Sequence, residues 1–245
     1  MKKDILGVMV DSVTMAEAVE TVSAFLDTQD AHMVVTPNAE IIKMCAEDKS
    51  FCETVNSASF IAPDGVGVLY AAKVLGTPIK EKIAGCDIGY NMLFEAAKKG
   101  KGVFFFGSKP GVAELCAKNL KEKVPNLIVS GTRDGYFKPE ETDSIIDMIN
   151  ESGASMLWVC LGAPKQENWM AENRHKLKVG VMMGLGGSID VYAGTVKRAP
   201  KWMIKMKFEW LYRLIKEPWR FSRMIKIPSV LVIAHREKKR RKKNG

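Results

Sequence analysis

The run GVFFFGSKPG at residues 102–111 decides the fold class of this 245-residue chain. Its apolar part is continuous rather than alternating, which is typical of a strand that is covered on both faces. The Gly, Ser and Pro residues that follow predict a tight turn, and residues 111–123 carry a helical pattern. The segment therefore predicts a buried strand, a turn and a helix that packs back onto the sheet.

The same order of apolar run and helical pattern recurs on both sides of this segment. Five further runs are also continuous in apolar character and predict strands covered on both faces: HMVVTP (32–37), SFIAPD (59–64), NLIVSG (126–131), SMLWVCLGA (155–163) and VGVMMGLGG (179–187). The other helical patterns lie at residues 15–26, 39–55, 66–75, 87–99, 140–151 and 165–176. This alternation predicts an α/β, Rossmann-like fold with a mainly parallel sheet flanked by helices.

The charge is distributed unevenly between two parts of the chain. Residues 196–245 carry 17 of the 37 Lys and Arg residues but only 3 of the 28 Asp and Glu residues. We therefore expect a catalytic domain at residues 1–195 and a basic amphipathic helical appendage at residues 196–245. The final run, residues 234–245, is expected to be disordered. A basic segment attached to an acidic body predicts an anionic partner for that segment.

Two anionic partners fit the appendage. Tryptophans interleaved with lysines at helical spacing favour an amphipathic helix at the cytoplasmic membrane surface. The alternative is a nucleic-acid-binding protein, whose affinity would fall steeply with salt. The aromatic residues lie on a helical stripe rather than on a strand platform for stacking bases, so we expect no nucleic-acid partner.

Several features bound the cellular context. The longest apolar runs are well short of the roughly 18 residues that a membrane-spanning helix needs. The N-terminal run is bracketed by Asp4 and Asp11 and has no small-residue cleavage site, so we do not expect a signal peptide. Five scattered cysteines without paired spacing are expected to be buried small hydrophobic residues in a reducing cytosol.

Small and polar residues follow nearly every predicted strand. Ligands of parallel sheets bind outside the carboxyl ends of the strands, where helix N-termini direct N–H groups toward them. Any one cluster could simply form a tight turn, but six clusters together favour a binding site. The sequence GSKPG suits a phosphate or sugar-nucleotide contact. We predict nucleotide-binding roles for Gly107, Ser108, Gly131, Gly162, Gly186 and Gly187.

Asp64 is the candidate for chemistry. It follows a predicted strand that ends in Pro63 and precedes a glycine-rich helix start, so it should lie at the mouth of the sheet. It could cap that helix or act as a general base toward a substrate hydroxyl. The histidines lack metal-ligand spacing and the chain has no Asp-x-Asp, so we expect no metal and no cofactor. The sequence also lacks the Gly-x-Ser-x-Gly pattern of covalent catalysis.

Seven strings in the right order resemble the WecG/TagA/CpsF glycosyltransferases of family 26. They are TPNAEII (36–42), APDGVGVLYAAK (62–73), FFGSKPGVAE (105–114), GTRDGYF (131–137), LGAPKQENW (161–169), GGSIDVYAGTVKRAP (186–200) and EWLYRLIKEPWRFSR (209–223). The resemblance extends from about residue 5 to about residue 228. It implies transfer of an N-acetylmannosamine-type sugar from a UDP-sugar donor to polyprenyl-diphosphate-linked N-acetylglucosamine.

The resemblance also implies an inverting, metal-independent mechanism with Asp64 as the base. The substrate-binding residues that it implies are Thr36, Asn38, Lys82, Asp87, Gln166, Arg213, Arg220 and Arg223. Lys82 stands where the resemblance expects arginine, and Ile189 stands where it expects phenylalanine.

The three arginines belong to the appendage, which would close over the site. Membrane attachment and completion of the site would then be a single event, at the inner face of the cell membrane. The sequence leaves open a UDP-N-acetylmannosaminuronate donor, a non-enzymatic membrane scaffold and a homo-oligomer.

Overall fold

The computed structural model describes residues 1–200, 202–203, 206, 211–212, 215 and 226–244. It begins with an antiparallel hairpin of β1 (Lys2–Ile5) and β2 (Val8–Asp11). The two connecting residues, Leu6 and Gly7, both have positive φ, of 56° and 93°. Positive φ at both positions is the requirement of the tight turn whose twist matches that of a hairpin.

Six strands form the main sheet. They are β3 (His32–Val35), β4 (Phe60–Ile61), β5 (Gly102–Gly107), β6 (Ile128–Arg133), β7 (Met156–Cys160) and β8 (Val181–Gly184). Their spatial order is β4-β3-β8-β7-β5-β6, and every neighbouring pair is parallel. All six strands therefore present their carboxyl ends at one edge. The predicted α/β, Rossmann-like fold is confirmed.

Ten α-helices with defined bounds accompany the strands within the part of the chain that the structure describes. They are α1 (Met15–Phe25), α2 (Ala39–Glu47), α3 (Lys49–Asn56), α4 (Val66–Leu75), α5 (Gly85–Lys98), α6 (Val112–Lys123), α7 (Thr142–Glu151), α8 (Lys165–Asn173), α9 (Ser188–Ala193) and α10 (Lys226–Asn244). None of the helices in the described ranges is long and apolar enough to cross a membrane.

The core lies on both faces of the sheet. Phe104 and Phe106 of β5 pack into one buried cluster with residues of α2, α3, α4, α7 and α8. Val103 and Phe105 alternate with them and pack into a second cluster with residues of α1, α5, α6 and α9. Two covered faces account for the continuous apolar character of the central strands.

Two elements differ from the sequence prediction. The single helix expected at residues 39–55 is divided at Asp48, which has extended backbone angles and whose carboxylate accepts a hydrogen bond from Phe51 N at 3.1 Å. The strand expected at residues 126–131 begins at Ile128 and continues to Arg133. It is an edge strand, and Ile128 is 47% exposed, so the prediction that it is covered on both faces is wrong.

The end of the chain also differs from expectation. Residues 234–244 lie within α10 instead of being disordered. The helix packs against α4 and α2, where Val230 and Ala234 are fully buried one turn apart. The Arg241 guanidinium pairs with Asp4 of the hairpin at 2.6 Å. This part of the appendage is therefore packed into the body.

The cysteines mostly behave as expected. Cys45, Cys86, Cys116 and Cys160 are buried and Cys52 is partly buried. Burial raises the pKa of the Cys116 thiol to about 12 and raises the pKa of Cys160 above its ordinary value. Thiols in this state are poor nucleophiles at neutral pH.

Candidate active site

The turns after β3 and β4 bring Thr36 and Asp64 together at the carboxyl edge of the sheet. The two turns are joined because Asp64 N donates to the Pro37 carbonyl at 3.0 Å. Gly65, with a φ of 85°, occupies the N-cap position of α4, so Asp64 precedes the cap. The Asp64 carboxylate instead accepts a hydrogen bond from Gly85 N, the first residue of α5, at 3.3 Å. An amide at a helix N-terminus favours a negative charge there.

Thr36 is tightly packed beside the first turn of α5. Its hydroxyl donates to the Gly184 carbonyl at 3.1 Å, and the residue is only 8% exposed. A Cβ on Gly85 would lie 2.6 Å from Thr36 Oγ1, which is too close for a real contact. Glycine at position 85 therefore allows the first turn of α5 to approach both Thr36 and Asp64.

Asn38 has a local structural role at the same edge. Its side-chain oxygen accepts hydrogen bonds from Glu40 N at 2.9 Å and Ile41 N at 3.1 Å, which caps α2. The residue is exposed, and neither bond uses its amide nitrogen. Its predicted contact with the sugar therefore stays compatible with the cap.

Gln166 connects α8 to the glycine turn after β8. Its carboxamide oxygen accepts from Gly186 N at 3.1 Å, and its nitrogen donates to Glu167 Oε1 at 2.7 Å. A Cβ on Gly184 would lie 3.1 Å from Gln166 Nε2 and 2.8 Å from Met170 Cε. The amide orientation of Gln166 is thus set by one donor and one acceptor.

Glu167 was missed by the sequence analysis. It is fully buried, and its Oε2 has no hydrogen-bond partner. Burial raises the pKa of this carboxyl group, which the hydrogen bonds from Gln166 and from its own backbone only partly oppose. A charged residue on a polar helix is expected to face solvent. Only the position of Glu167 next to Gln166 could have indicated that it is buried at the site.

An open cavity of about 730 Å³ lies over the other half of the edge, at the ends of β5 and β7. This volume falls within the range of roughly 300 to 1,000 Å³ that small-molecule sites occupy. The cavity is lined by Ser108, Lys109, Gly135, Tyr136, Phe137, Lys138, Glu141, Cys160, Leu161, Lys165 and Asp190. Three lysines and an exposed tyrosine suit an anion attached to a planar ring.

The turn after β5, which contributes Ser108 to the cavity lining, has two successive residues with positive φ. Gly107 has a φ of 136°, and a Cβ there would lie 2.3 Å from the Cys160 carbonyl oxygen. The next residue, Ser108, also has a positive φ, of 63°. Its hydroxyl donates to Asp190 Oδ1 at 2.7 Å. The predicted residue Ser108 therefore lines the cavity, and Gly107 allows the close approach of β5 to β7.

The other predicted glycines are divided between turns and a strand. Gly162 and Gly186 have positive φ, of 78° and 55°, in the turns after β7 and β8, and Gly187 precedes α9. Gly131 lies within β6 rather than after it, and a Cβ there would lie 2.5 Å from the Phe104 ring. Gly131 thus makes room for Phe104 and does not line the cavity.

The remaining predicted residues have different surroundings. Lys82 is partly buried in the loop before α5. Both carboxylate oxygens of Asp87 accept from the Arg198 guanidinium, at 2.6 and 2.8 Å. Arg213, Arg220 and Arg223 lie outside the residues that the structure describes. Within the described ranges, no group of three or more His, Cys, Asp or Glu residues could hold a metal ion.

The polar cluster formed by Thr36, Asp64 and Gln166 and the cavity lie on different halves of one sheet edge. Asp64 follows β4, whereas the cavity begins at β7, three strand positions away. Neighbouring strands are about 4.8 Å apart, so the two regions are separated by roughly 14 Å. The glycine turn after β8 lies between them.

Comparison with known proteins places these features in a family context. A family model described as "Glycosyl transferase WecG/TagA/CpsF family" matches residues 3–244. Three relatives are named N-acetylglucosaminyldiphosphoundecaprenol N-acetyl-beta-D-mannosaminyltransferase. The Bacillus subtilis (strain 168) protein is 35% identical over 89% of this chain and 84% of its own length. The Bacillus spizizenii protein is 37% identical over 84% and 79%. The Staphylococcus aureus (strain MW2) protein is 32% identical over 99% and 95%.

Proposed function

Because the chain belongs to the WecG/TagA/CpsF glycosyltransferase family, it is a hexosyltransferase, and we propose that it transfers N-acetylmannosamine from UDP-N-acetylmannosamine. The proposed acceptor is the 4-hydroxyl of N-acetylglucosamine on undecaprenyl diphosphate. The names of the relatives support this acceptor and this sugar. Such a product would serve wall teichoic acid linkage or a related surface polysaccharide.

The observation that carries the proposal is the division of one sheet edge into a cavity and a carboxylate-bearing cluster. A nucleotide sugar is long, with a planar base at one end, a diphosphate in the middle and the reacting sugar at the other end. We assign the nucleoside to the cavity beside Tyr136 and the sugar to the region of Thr36 and Asp64. The separation of roughly 14 Å suits a ligand with this elongated shape.

The proposed reaction is a single displacement with inversion. Asp64 accepts the proton of the acceptor hydroxyl, and the acceptor oxygen forms a bond to the anomeric carbon of the donor. The bond between that carbon and the diphosphate oxygen breaks on the opposite face, and UDP leaves with the electron pair. A positioned base contributes roughly a hundred- to ten-thousand-fold to such a rate.

The leaving diphosphate needs a positive environment. Lys109 and Lys165 line the cavity and are exposed, so their ammonium groups can reach a bound anion. Lys165 Nζ lies 4.2 Å from the centre of the Phe137 ring and 3.4 Å from the Gly135 carbonyl oxygen. In the proposal these lysines and the appendage arginines stabilise the developing charge, as metal-independent transfer requires.

The protein is proposed to act at the inner face of the cell membrane as a peripheral protein. The lipid acceptor is the main reason, and the basic appendage supplies the attraction to anionic headgroups. Co-sedimentation with vesicles that contain anionic lipid should exceed that with neutral vesicles. Binding to DNA instead, independent of lipid and lost with salt, would favour the nucleic-acid alternative.

The enzymatic proposal is tested with the full-length protein, a synthetic diphosphate-linked N-acetylglucosamine lipid and a panel of UDP-sugars. We expect UDP release and a disaccharide-lipid product with UDP-N-acetylmannosamine, and background rates with UDP-glucose. Preference for UDP-N-acetylmannosaminuronate would change the donor but retain the family reaction. Binding of UDP without any product from the whole panel would contradict the proposal and favour a scaffold.

A further inference from the structure

The segment that follows α9 is tied to the first turn of α5. Arg198 donates from both terminal nitrogens to the two carboxylate oxygens of Asp87, at 2.6 and 2.8 Å. The two residues are 111 positions apart in the sequence. Their side chains are only 23% and 39% exposed. A two-point bond in partly buried surroundings fixes geometry in a way that a single exposed lysine bond does not.

A second contact joins the same two elements. Tyr192 of α9 donates its hydroxyl to the Cys86 carbonyl at 3.0 Å. Its ring is stacked on that of Tyr90, with centroids 5.3 Å apart and an interplanar angle of 11°. The residues from Tyr192 to Arg198 therefore hold Cys86, Asp87 and Tyr90, all at or near the start of α5.

This turn of α5 also carries the partner of the proposed base. Gly85 N donates to Asp64, and Gly85 lies so close to Thr36 that a Cβ on it would be 2.6 Å from Thr36 Oγ1. Gly85 lies two residues before Asp87 in the same helical turn. A chain of direct contacts therefore connects the Asp64 carboxylate to the segment that contains Arg198.

Arg198 also lies near the start of the basic appendage. We propose that Asp87 and Arg198 are a positioning pair, which holds the first turn of α5 against Asp64 and fixes the point from which the appendage leaves the body. This inference rests on the proposed function, in which Asp64 is the base and the appendage closes over the site. It gives Asp87 an internal partner in place of a substrate contact.

A double-mutant cycle tests the pair. Asp87→Asn and Arg198→Gln should each lower kcat about tenfold, with the dissociation constant of UDP changed less than about twofold. The double variant should be no slower than the slower single variant, because both changes remove one interaction. Arg198→Lys should lie between Arg198→Gln and the wild type, since lysine retains the charge but not the two-point bond.

The matched control is an exposed ion pair elsewhere in the protein. Lys176 and Asp143 lie 2.7 Å apart, with side chains that are 45% and 76% exposed. Asp143→Asn should leave kcat unchanged, because exposed pairs contribute little. Losses in kcat that multiply in the Asp87→Asn/Arg198→Gln variant, or a raised KM for the donor at unchanged kcat, would overturn the inference and indicate a direct substrate contact.

Amide hydrogen exchange tests the pair without relying on activity. Both single variants should raise exchange at residues 85–88 and 195–200, in the same pattern, while Asp143→Asn should not. Unchanged exchange in those two segments overturns the positioning role even if transfer activity falls. The wild-type protein could show no transfer with any donor while the two single variants show the expected rise in exchange. That result would contradict the proposed function but retain the pair as a structural contact.

Discussion

The two halves of the carboxyl edge are built differently. Around β4, β3 and β8, polar side chains are packed and hydrogen-bonded, with Thr36 and Gln166 almost fully buried. Around β7 and β5, the edge opens into a cavity with exposed Tyr136 and exposed lysines. The first half has the fixed geometry that a chemical step needs, whereas the second has the accessible cations and aromatic ring that the proposed contact with a nucleotide requires.

Glycines make the same contrast possible in two ways. Gly85 and Gly184 allow the backbone to approach Thr36 and Gln166 closely. The packed half therefore requires residues without a Cβ at these two positions. Gly107 instead allows β5 to approach β7 closely, just before Ser108 of the cavity lining. Substitutions in the two halves should therefore separate turnover from nucleotide binding.

The largest effect is expected at Asp64. Asp64→Asn should lower turnover by roughly a hundred- to ten-thousand-fold, because the amide cannot accept the acceptor proton. The dissociation constant of UDP should stay within about twofold of the wild type, as measured by calorimetry.

Asp190→Asn is the matched variant in the cavity, where it weakens the hydrogen bond from Ser108. It should impair UDP binding more than turnover at saturating donor. The reverse pattern for these two variants would break the division of the edge.

A smaller effect is expected at Gly85. Gly85→Ala should lower turnover about tenfold, since the new methyl group would lie 2.6 Å from Thr36 Oγ1 and must displace it. Alanine otherwise favours a helix, so a loss of thermal stability would come from this contact. The Thr36→Ala/Gly85→Ala variant should be no less stable than Thr36→Ala alone. A further drop in Tm in that double variant would show that the strain lies elsewhere.

Tyr136 should affect binding alone. The residue is 64% exposed at the cavity, and stacking of a base on an aromatic ring is worth roughly 1 to 3 kcal/mol. Tyr136→Ala should weaken UDP binding about tenfold, and Tyr136→Phe should restore it. Tyr70→Ala on α4 is a control of similar exposure, at 52%, and should bind UDP normally. Equal weakening by both alanine variants would argue against a base at Tyr136.

The smallest effect concerns stability and pH. The pKa of Glu167 is raised in the folded protein, so the native state binds a proton more tightly than the unfolded chain. The tighter proton binding contributes to the stability of the folded protein. This contribution is present at pH values below the unfolded pKa, near 4.3, and is lost as the pH rises through the folded pKa. Glu167→Gln stays neutral, so its Tm relative to the wild type should rise as the pH increases from the unfolded pKa through the folded pKa of Glu167. A pH-independent difference in Tm would contradict the raised pKa.

Local patterns predicted much of the fold and part of the site. The continuous apolar run of β5 indicated two covered faces, and Pro63 and Gly65 around Asp64 indicated a strand end. The strand order could not be read, because it depends on packing between distant segments. The same limit hid the contact between Asp87 and Arg198 and the burial of Glu167. In α10 the lysine-rich sequence favoured disorder, whereas Val230 and Ala234 at a four-residue spacing provide the face that packs against α4 and α2.

The division of the sheet edge is tested most directly by a crystal structure of the Asp64→Asn variant with UDP-N-acetylmannosamine bound. We expect the uracil ring at Tyr136, the diphosphate across the turn after β8 and within reach of Lys109 or Lys165, and the anomeric carbon on the side of Thr36 and residue 64. A donor bound with its sugar in the cavity, or with its nucleoside away from Tyr136, would contradict the division of the sheet edge on which the proposed function rests.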